Sequence, residues 1–435
     1  MALDALRNWT VAMEENLLSL RPPRRRKSSE DSIPTITSAT TATAPASRNR
    51  GPPVHLPTEL ILLILDYVPR KPSSQRTLWS LCLLNRQWYS TCIARLYEHP
   101  LLEGANYDAF VRTICPSINA HVRRSPLADL VHFLDLGKLV HQGSKSVTAR
   151  LLGRTKANLE FFRAPQASFA VNCCAALSKC TKLRTLDLSL VSESPTFHSL
   201  SHVLRSLPSL ESFAFPRSSL HASDDFAAQE FQWPPKLRQL IVTGGIGDWF
   251  MFGMARNRES LPPSLEELVL EHCPHITVHS FMALLGALAQ QLTRLSVSNM
   301  PALNPSSLDG LLAQCPKLTH LSVSLDYISM GFTVLEQLLK KNPDMPIPHP
   351  LRYLELTTSG HPRIDEDMLR PMDIEMGIEE GLLSQLRIVR VDSSLQWAVG
   401  ELQEEATELE QMMQVIAAKA REPARELQRV GVWTF

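Results

Sequence analysis

The sequence lacks an excess of charge of either sign. It has 44 basic and 44 acidic residues among 435, and its formal net charge is zero. Proteins that bind nucleic acid or an acidic membrane surface by electrostatic attraction carry a strongly basic face or domain. The charge balance therefore predicts neither a nucleic-acid partner nor a membrane partner.

The sequence also lacks a long apolar run. A helix that spans a bilayer needs about 20 apolar residues, whereas the longest candidate covers only residues 61–65. The first twenty residues contain acidic side chains and no small-residue cleavage site, so they do not form a secretory signal. We therefore expect a cytoplasmic and/or nuclear protein whose eight scattered cysteines are reduced thiols.

Patterns that carry catalysis or metal binding are missing as well. No nucleophile–base pair, pair of carboxylates or cofactor fingerprint stands out from the sequence. His272, Cys273 and His275 lack the second ligand pair that a zinc site requires, and the glycines at 244–247 lack the Gly-Lys ending of a phosphate-binding loop. We expect a protein that is not an enzyme and that binds neither metal nor cofactor.

An unusually apolar segment is present at residues 56–88. Leu56 and Pro57 precede Glu59 and Leu60, and the next five residues are all apolar. Proline suits the first turn of a helix, and a surface helix normally has one apolar stripe. This helix is apolar on nearly every side, and a segment of about 45 residues is too small to bury it. A second protein is therefore expected to cover it.

This segment resembles the F-box, a helical module that docks on the Skp adaptor of SCF-type ubiquitin ligases. The family pattern is met by Leu56, Pro57, Glu59, Leu60, Ile64, Leu65, Leu81, Leu84, Arg86 and Trp88. The sequence departs from the pattern in a long polar turn at 69–77 and in Asn85, where serine is common. The resemblance implies adaptor contacts at Leu56, Pro57, Leu60, Ile64, Leu65, Leu81, Leu84 and Trp88. The alternative is an ordinary helical hairpin that caps the rest of the fold.

A repeated pattern, apolar-x-x-apolar-x-apolar, begins at Val131 and recurs ten times. The middle residues of the ten copies, from Leu134 to Val389, are separated by 24 to 35 residues. A period of about 27 residues with this pattern indicates leucine-rich repeats. One repeat cannot bury its own apolar face, so neighbouring repeats stack into a solenoid. The predicted fold class is α/β, with parallel strands on the concave face and helices on the convex face.

Cysteines near the strands refine this assignment. Cys180 and Cys315 each lie three residues before a repeat leucine, and Cys273 follows the strand that contains Leu268. These copies resemble the cysteine-containing subtype of leucine-rich repeat, which often follows an F-box. Only the copy at 265–273 has cysteine at the ninth position of the full pattern.

These patterns divide the chain into four segments. We expect a tail at 1–54, an F-box at 55–100, a solenoid at 101–392 and a helical cap at 393–435 with Ser394 as its N-cap residue. The tail is rich in Pro, Ser and Thr and is predicted to be disordered. Leu3, Leu6, Met13, Leu17 and Leu20 fit either a short partner helix or a free amphipathic segment. The basic cluster at 24–27 fits a nuclear import signal or a solvated charge run.

The predicted target surface follows from the strand pattern. Side chains alternate along a strand, so the residues beside the buried apolar positions face the concave side, among them Asp135, Arg163 and Gln239. We expect target contacts at Asp187, Glu267, Glu271, Arg294, His320, Tyr353, Glu355 and Arg390. Their charges are mixed, so a strongly charged target motif is not implied, and Arg294 and Tyr353 are the expected anchors.

The resemblance to F-box proteins implies a function. It implies a substrate receptor that binds a Skp adaptor and, through it, a cullin, while the solenoid holds a target protein of unknown identity for ubiquitination. Two alternatives stay open at this point. One is a Skp-bound protein with a non-proteolytic role, and the other is a leucine-rich scaffold or regulator without ligase function.

Overall fold

The structure is a computed structural model that describes residues 56–70, 72–117, 125–139, 144–193, 195–217, 232–257, 261–359 and 368–435. The predictions for the tail at 1–54, namely disorder, an amphipathic helix and an import signal, lie outside these residues.

The described chain begins with three helices, α1 (Thr58–Asp66), α2 (Gln75–Cys82) and α3 (Arg86–Glu98). Asn85 caps α3, because its side-chain oxygen accepts a hydrogen bond from the backbone N–H of Trp88 at 3.0 Å. The three helices share a small core of Ile61, Leu65, Leu78, Cys82 and Cys92, each at most 7% exposed. We call residues 56–98 the helical module.

Helix α3 also holds the two ends of α1 by polar contacts. Gln87 Nε2 donates to the carbonyl oxygen of Leu56 at 2.8 Å, before the first turn of α1. Arg95 Nη1 donates to the carbonyl oxygen of Leu65 at 3.0 Å and also pairs with Asp66. The orientation of α1 is therefore fixed at both ends by the module itself.

The rest of the described chain is built on an eleven-stranded parallel sheet whose strands follow chain order. Each of the ten predicted repeat copies contributes one strand, and the middle residue of each copy is at most 2% exposed. The predicted α/β solenoid is confirmed. The strands are β1 (Phe133–Asp135), β2 (Phe161–Arg163), β3 (Thr185–Asp187), β4 (Ser212–Ala214), β5 (Gln239–Thr243), β6 (Glu267–Glu271), β7 (Arg294–Ser298), β8 (His320–Ser324), β9 (Tyr353–Thr357), β10 (Ile388–Val391) and β11 (Gly431–Thr434).

Helices occupy the stretches between and around the strands, because a parallel connection must cross the sheet before the next strand begins. They are α4 (Ala105–Ile114), α5 (Lys145–Thr155), α6 (Val171–Leu177), α7 (Phe197–Arg205), α8 (Asp248–Arg256), α9 (Val278–Leu288), α10 (Leu311–Gln314), α11 (Leu335–Lys341), α12 (Pro371–Glu379), α13 (Glu401–Lys419) and α14 (Ala424–Leu427).

Aspartates join neighbouring repeats on the helical side. Asp248, in the first turn of α8, accepts hydrogen bonds from the backbone N–H and hydroxyl of Thr277 at 2.7 and 2.9 Å, and from the hydroxyl of Ser280. Thr277 is the N-cap residue of α9 and makes no side-chain cap of its own. One repeat therefore caps the helix of the next, which satisfies N–H groups that a helix start leaves unpaired.

Charged residues stand immediately before five consecutive strands. They form a ladder of backbone hydrogen bonds in which each N–H donates to the carbonyl oxygen of the preceding member at 2.7 to 2.9 Å. Arg184 also pairs with Glu211 at 2.9 Å. The members of this rim ladder are Glu160, Arg184, Glu211, Arg238 and Glu266.

The C-terminal segment differs from the predicted helical cap in two ways. Ser394 lies in a 3-10 turn at Ser393–Leu395, whereas the long helix α13 begins later, after Gly400, so the predicted N-cap residue was wrong. The last residues form β11, which pairs in parallel with β10 and was not predicted. Glu422, between α13 and α14, accepts from Arg352 and Arg387 at 2.9 Å and fastens this segment to the strand rims.

Candidate functional sites

One side of helix α1 is an exposed apolar stripe. Leu60, Leu63, Ile64 and Tyr67 are 47%, 57%, 42% and 82% exposed. Their spacing of i, i+3, i+4 and i+7 places them on one face of the helix. Ile61 and Leu65 share a different face, which packs into the core of the module. The all-round apolar helix thus has one face for its own core and one without a cover in the described chain.

The predicted adaptor contacts fall into three groups: exposed, half-buried and buried in the module core. Leu60, Ile64, Leu84 and Pro57 are exposed on the module surface, in agreement with a contact role. Leu56, Leu81 and Trp88 are half-buried and pack against the module core.

Leu65 is the exception among the predicted contacts, because it is 1% exposed and lies inside the core. Its side chain cannot reach a partner in this arrangement, so we reassign it to the folding of the module. The sequence did not distinguish Leu65 from the exposed leucines, because it belongs to an unbroken apolar run at 60–65.

Sequence reasoning missed five exposed apolar side chains of the module. Leu62 and Leu63 lie on α1 at 51% and 57% exposure, and Tyr67 follows this helix. Trp79 and Leu83, at 41% and 45%, are four residues apart at the end of α2 and so share a face. A search for apolar residues at helical spacing opposite the Ile61–Leu65 pair would have found the α1 members.

The uncovered face of the sheet carries the predicted target residues. In register across the strands, Glu267, Arg294, His320 and Tyr353 form one row. Val269, Ser296, Ser322 and Glu355 form the next row, and Arg390 continues it on β10. All are half-buried except Arg294, which is exposed. We call this surface the open face.

A groove of about 510 Å³ lies on the open face over strands β6 to β9. It exists because the second row is small at Val269, Ser296 and Ser322, beside longer side chains in the first row. Five of the eight predicted target residues line it, namely Glu267, Arg294, His320, Tyr353 and Glu355.

Glu355 organises one end of the groove. Its carboxylate accepts hydrogen bonds from the hydroxyl of Tyr353 at 2.6 Å, from Arg390 Nη1 at 2.9 Å and from the hydroxyl of Ser322 at 3.2 Å. Arg390 lies over the ring of Phe435, with 4.4 Å between its Cζ and the ring centroid. This end is a preformed, internally neutralised wall.

Burial shifts the pKa of two groove residues. Desolvation lowers the pKa of His320 below its usual value, and the nearby Arg294 lowers it further. The imidazole is therefore neutral at pH 7. Desolvation and then the hydrogen bond to Glu355 raise the pKa of Tyr353, which keeps its phenol protonated.

Three predicted target residues do not line the groove, namely Arg390, which contacts Glu355 from β10, Asp187 and Glu271. Asp187, on β3, holds Arg163 Nε at 2.7 Å, while Asp135 holds the same guanidinium at 3.3 Å. This second cluster belongs to the other end of the open face. Glu271 is exposed at the end of β6, and its Oε1 lies 3.4 Å from Nε2 of His272. Periodicity predicted the face for all eight residues but did not predict which of them would gather.

The described ranges contain no group of three or more His, Cys, Asp and Glu side chains that could hold a metal ion. Burial raises the pKa of Cys180, Cys273 and Cys315 to about 12, so these thiols stay protonated. Among the helices of the same ranges, none combines the length and apolar character needed to cross a bilayer.

Two fungal proteins are similar in sequence to this chain. The chain is 33% identical over 316 residues to F-box protein YDR306C of Saccharomyces cerevisiae. The chain is a relative of a yeast F-box protein. The match covers 72% of this chain but 63% of that protein, so the chain spans less than two thirds of its length. Protein pof5 of Schizosaccharomyces pombe is 29% identical over 333 residues, which cover 76% of this chain and 87% of pof5.

The resemblance to F-box proteins that the sequence predicted is thereby confirmed. Because residues 56–98 meet the pattern behind that resemblance, "F-box module" is used below as a label for the helical module. No family model matches the chain. A chain in the crystal structure of the yeast Rad7 and Elc1 complex is similar with a TM-score of 0.46 and 16% identity, over 77% of this chain and 88% of that chain.

Proposed function

We propose that this chain is the substrate-recognition subunit of an SCF-type cullin-RING ubiquitin ligase. The F-box module docks on a Skp adaptor, and the open face of the solenoid holds a target protein. Ubiquitin is activated on other subunits, so the chain itself performs no catalysis. It works in the cytoplasm, the nucleus or both.

The observation that carries the proposal is the concentration of exposed apolar side chains in the helical module. Eight of the 18 large apolar side chains that are exposed in the described residues fall between Leu60 and Leu84. A concentration of exposed apolar surface marks a protein interface. Both α1 and α2 contribute to it, and the kinship with an F-box protein supports a Skp adaptor as the occupant.

The open face supplies the second half of the function. It is polar, half-buried and preorganised at Glu355, which suits recognition of a partner that also exists free in water. A target held there meets the ubiquitin-charged enzyme at a high effective concentration, and this proximity accelerates transfer to target lysines.

The test is co-purification of the Skp adaptor and cullin with the chain and with its Ile64→Asp variant. A charge placed in a desolvated interface is strongly unfavourable, so we expect adaptor affinity to fall at least about a hundredfold. Val415→Asp is the matched control, because Val415 is also a β-branched helical residue and is 51% exposed, against 42% for Ile64. The control should bind adaptor normally.

The outcomes separate three functions. Adaptor and cullin that both co-purify with the unaltered chain, and are both lost in Ile64→Asp, support the ligase receptor. Adaptor without cullin would favour a Skp-bound protein with a non-proteolytic role. Absence of both would leave a leucine-rich scaffold or regulator. Normal adaptor binding by a folded Ile64→Asp protein would refute the assigned surface.

A further inference from the structure

The groove on the open face has the dimensions of a short extended peptide. Its lining residues come from four consecutive strands, which span about 14 Å at the usual strand spacing. An extended chain advances about 3.3 Å per residue, so about four residues cross the groove. A volume of about 510 Å³ exceeds that of a single side chain and lies within the usual range for ligand sites.

The charged groups that line the groove are not equally available to a ligand. Glu355 already accepts three hydrogen bonds, and Arg390 offsets its charge. Arg294 differs, because its nearest carboxylate oxygen, on Glu267, is 3.5 Å from Nε. That distance exceeds a normal hydrogen bond, and within the described part of the chain the guanidinium has no hydrogen-bond acceptor.

Two neutral groups stand beside Arg294 in the register. Ser296 is on the same strand, and its hydroxyl is not engaged by any other described residue. His320 is the cross-strand neighbour of Arg294. The hydroxyl of Thr319 donates to the carbonyl oxygen of Thr293 at 3.0 Å, so the neutral His320 donates its Nδ1–H to that hydroxyl at 2.9 Å and its Nε2 is an acceptor. The donors that remain for a ligand at this point are therefore the guanidinium of Arg294 and the hydroxyl of Ser296.

We propose that Arg294 and Ser296 bind one carboxylate side chain, Asp or Glu, in an extended segment of the target. The inference rests on the proposed function and names the chemistry of its target site. The planar guanidinium matches a carboxylate through two parallel N–H donors. The remaining segment lies over Val269 and Ser322.

The charge of the site favours a carboxylate over a phosphate. Glu267 and Glu355 both line the groove, and one open guanidinium faces them. A monoanion is matched by Arg294, whereas a dianionic phosphate would bring a second negative charge toward two carboxylates. Glu267 also competes with the ligand for Arg294, so its charge limits the affinity.

The experiment is selection of a displayed random octapeptide library on the purified 435-residue chain. We expect Asp and Glu to be enriched about fivefold or more at one position of the retained peptides. Arg294→Ala should abolish the enrichment, and Glu267→Gln should increase it. Arg184→Ala is the matched control, because Arg184 has a similar side-chain exposure, 56% against 53%, and lies on the strand rim.

Synthetic versions of the best peptide then identify the group that is bound. Replacing its acidic residue with Gln should weaken binding about tenfold, and replacing it with Lys should weaken binding further. Enrichment of Lys or Arg, an enrichment unchanged in Arg294→Ala, or a phosphoserine peptide that binds where the carboxylate peptide does not would each overturn the proposal.

Failure here is distinguishable from failure of the proposed function. Peptide selection uses the chain alone and reads the open face, whereas adaptor and cullin co-purification reads the F-box module. A chain that retains adaptor and cullin but shows no acidic selection would refute only the carboxylate site.

Discussion

The F-box module and the open face expose opposite kinds of side chain. On and beside α1 and α2 the module exposes leucine, isoleucine, tyrosine and tryptophan side chains, next to exposed polar residues such as Glu59 and Arg76. On β6 to β10 most outward residues are polar or charged, apart from Val269 and Ile388, and some are tied into pairs such as Glu355 and Arg390. The first surface is incomplete without a partner, and the second is stable by itself.

This difference explains what each surface reveals about its partner. Exposed apolar area has a cost in water that only burial removes, so it signals an obligate or long-lived contact. A satisfied polar surface has no such cost, and it can change with little effect on folding. The apolar surface on α1 and α2 is therefore readable from the sequence, whereas the open face is readable only through its open groups, such as Arg294.

The largest expected effect separates the two faces of α1. Leu65→Ala should destabilise the F-box module by about 2–5 kcal/mol, because it leaves a cavity in a small core. Leu60→Ala, on the outward face, should change folding stability by about 0.5 kcal/mol or less while adaptor affinity falls. Hydrogen exchange of residues 58–98 and an adaptor pull-down measure the two effects. Equal loss of protection in both variants would erase the distinction between the faces.

An intermediate effect is expected where polar groups serve the scaffold. Burial acts to raise the pKa of Asp248, but hydrogen bonds from Ser280 and Thr277 outweigh it, and the net shift is downward. The lowered pKa means that this carboxylate stabilises the fold above its unfolded pKa of about 3.9 and that the stability is lost as pH falls through the lower folded value. Asp248→Asn should cost about 1–2 kcal/mol at pH 7.

Urea unfolding of the Asp248→Asn variant at pH 7 and near pH 2.5 checks that expectation. The difference from the unaltered chain should shrink at the lower pH, where Asp248 is itself becoming protonated. A difference of the same size at both values would show that shape and not charge makes the link between repeats. At pH 7 the Asp248→Asn variant should bind the adaptor as the unaltered chain does.

A small stability effect is expected on the open face. Tyr353→Phe removes the hydroxyl that donates to Glu355 and accepts from Arg390 at 3.2 Å. Because Glu355 keeps its bonds to Arg390 and Ser322, unfolding should change by about 1 kcal/mol or less. The set of proteins bound by the chain should nevertheless change. Mass spectrometry of co-purified proteins compares this variant with Thr185→Val, which removes a hydroxyl from the same face six strands away.

An unchanged protein list for Tyr353→Phe, with normal adaptor binding, would move target recognition away from the groove wall. A large loss of stability would instead show that the open face is part of the folding core. Either result would break the contrast between the two surfaces.

The sequence predicted the sheet well because the repeat is an energetic necessity. Each strand must bury its middle apolar residue, as Leu268 and Leu295 do, and the pattern therefore recurs wherever a strand exists. Strand β11 was not predicted because its register places Val432 and Thr434 opposite Val389 and Val391 of the β10 copy, and Thr434 is not apolar. Helix α13 is also inserted before it, so neither the pattern nor the period was visible.

The candidate sites were predictable to a different degree. Alternation along a strand assigned Arg294 and Tyr353 to the outward face, but the groove depends on the small size of Val269, Ser296 and Ser322 across neighbouring strands. That is a property of register, which the repeat supplies only after the copies are aligned. In α1 the apolar run has no polar side, so the sequence could not tell that Leu65 faces inward.

The rim ladder makes the order of the repeats part of the structure. Its members read Glu160, Arg184, Glu211, Arg238 and Glu266, so every neighbour has the opposite charge. Removal of one internal repeat would set two like charges side by side, whereas removal of two adjacent repeats would restore attraction. Along this stretch, therefore, adding or removing two adjacent repeats keeps the alternation of charge in the rim ladder, whereas adding or removing a single repeat does not.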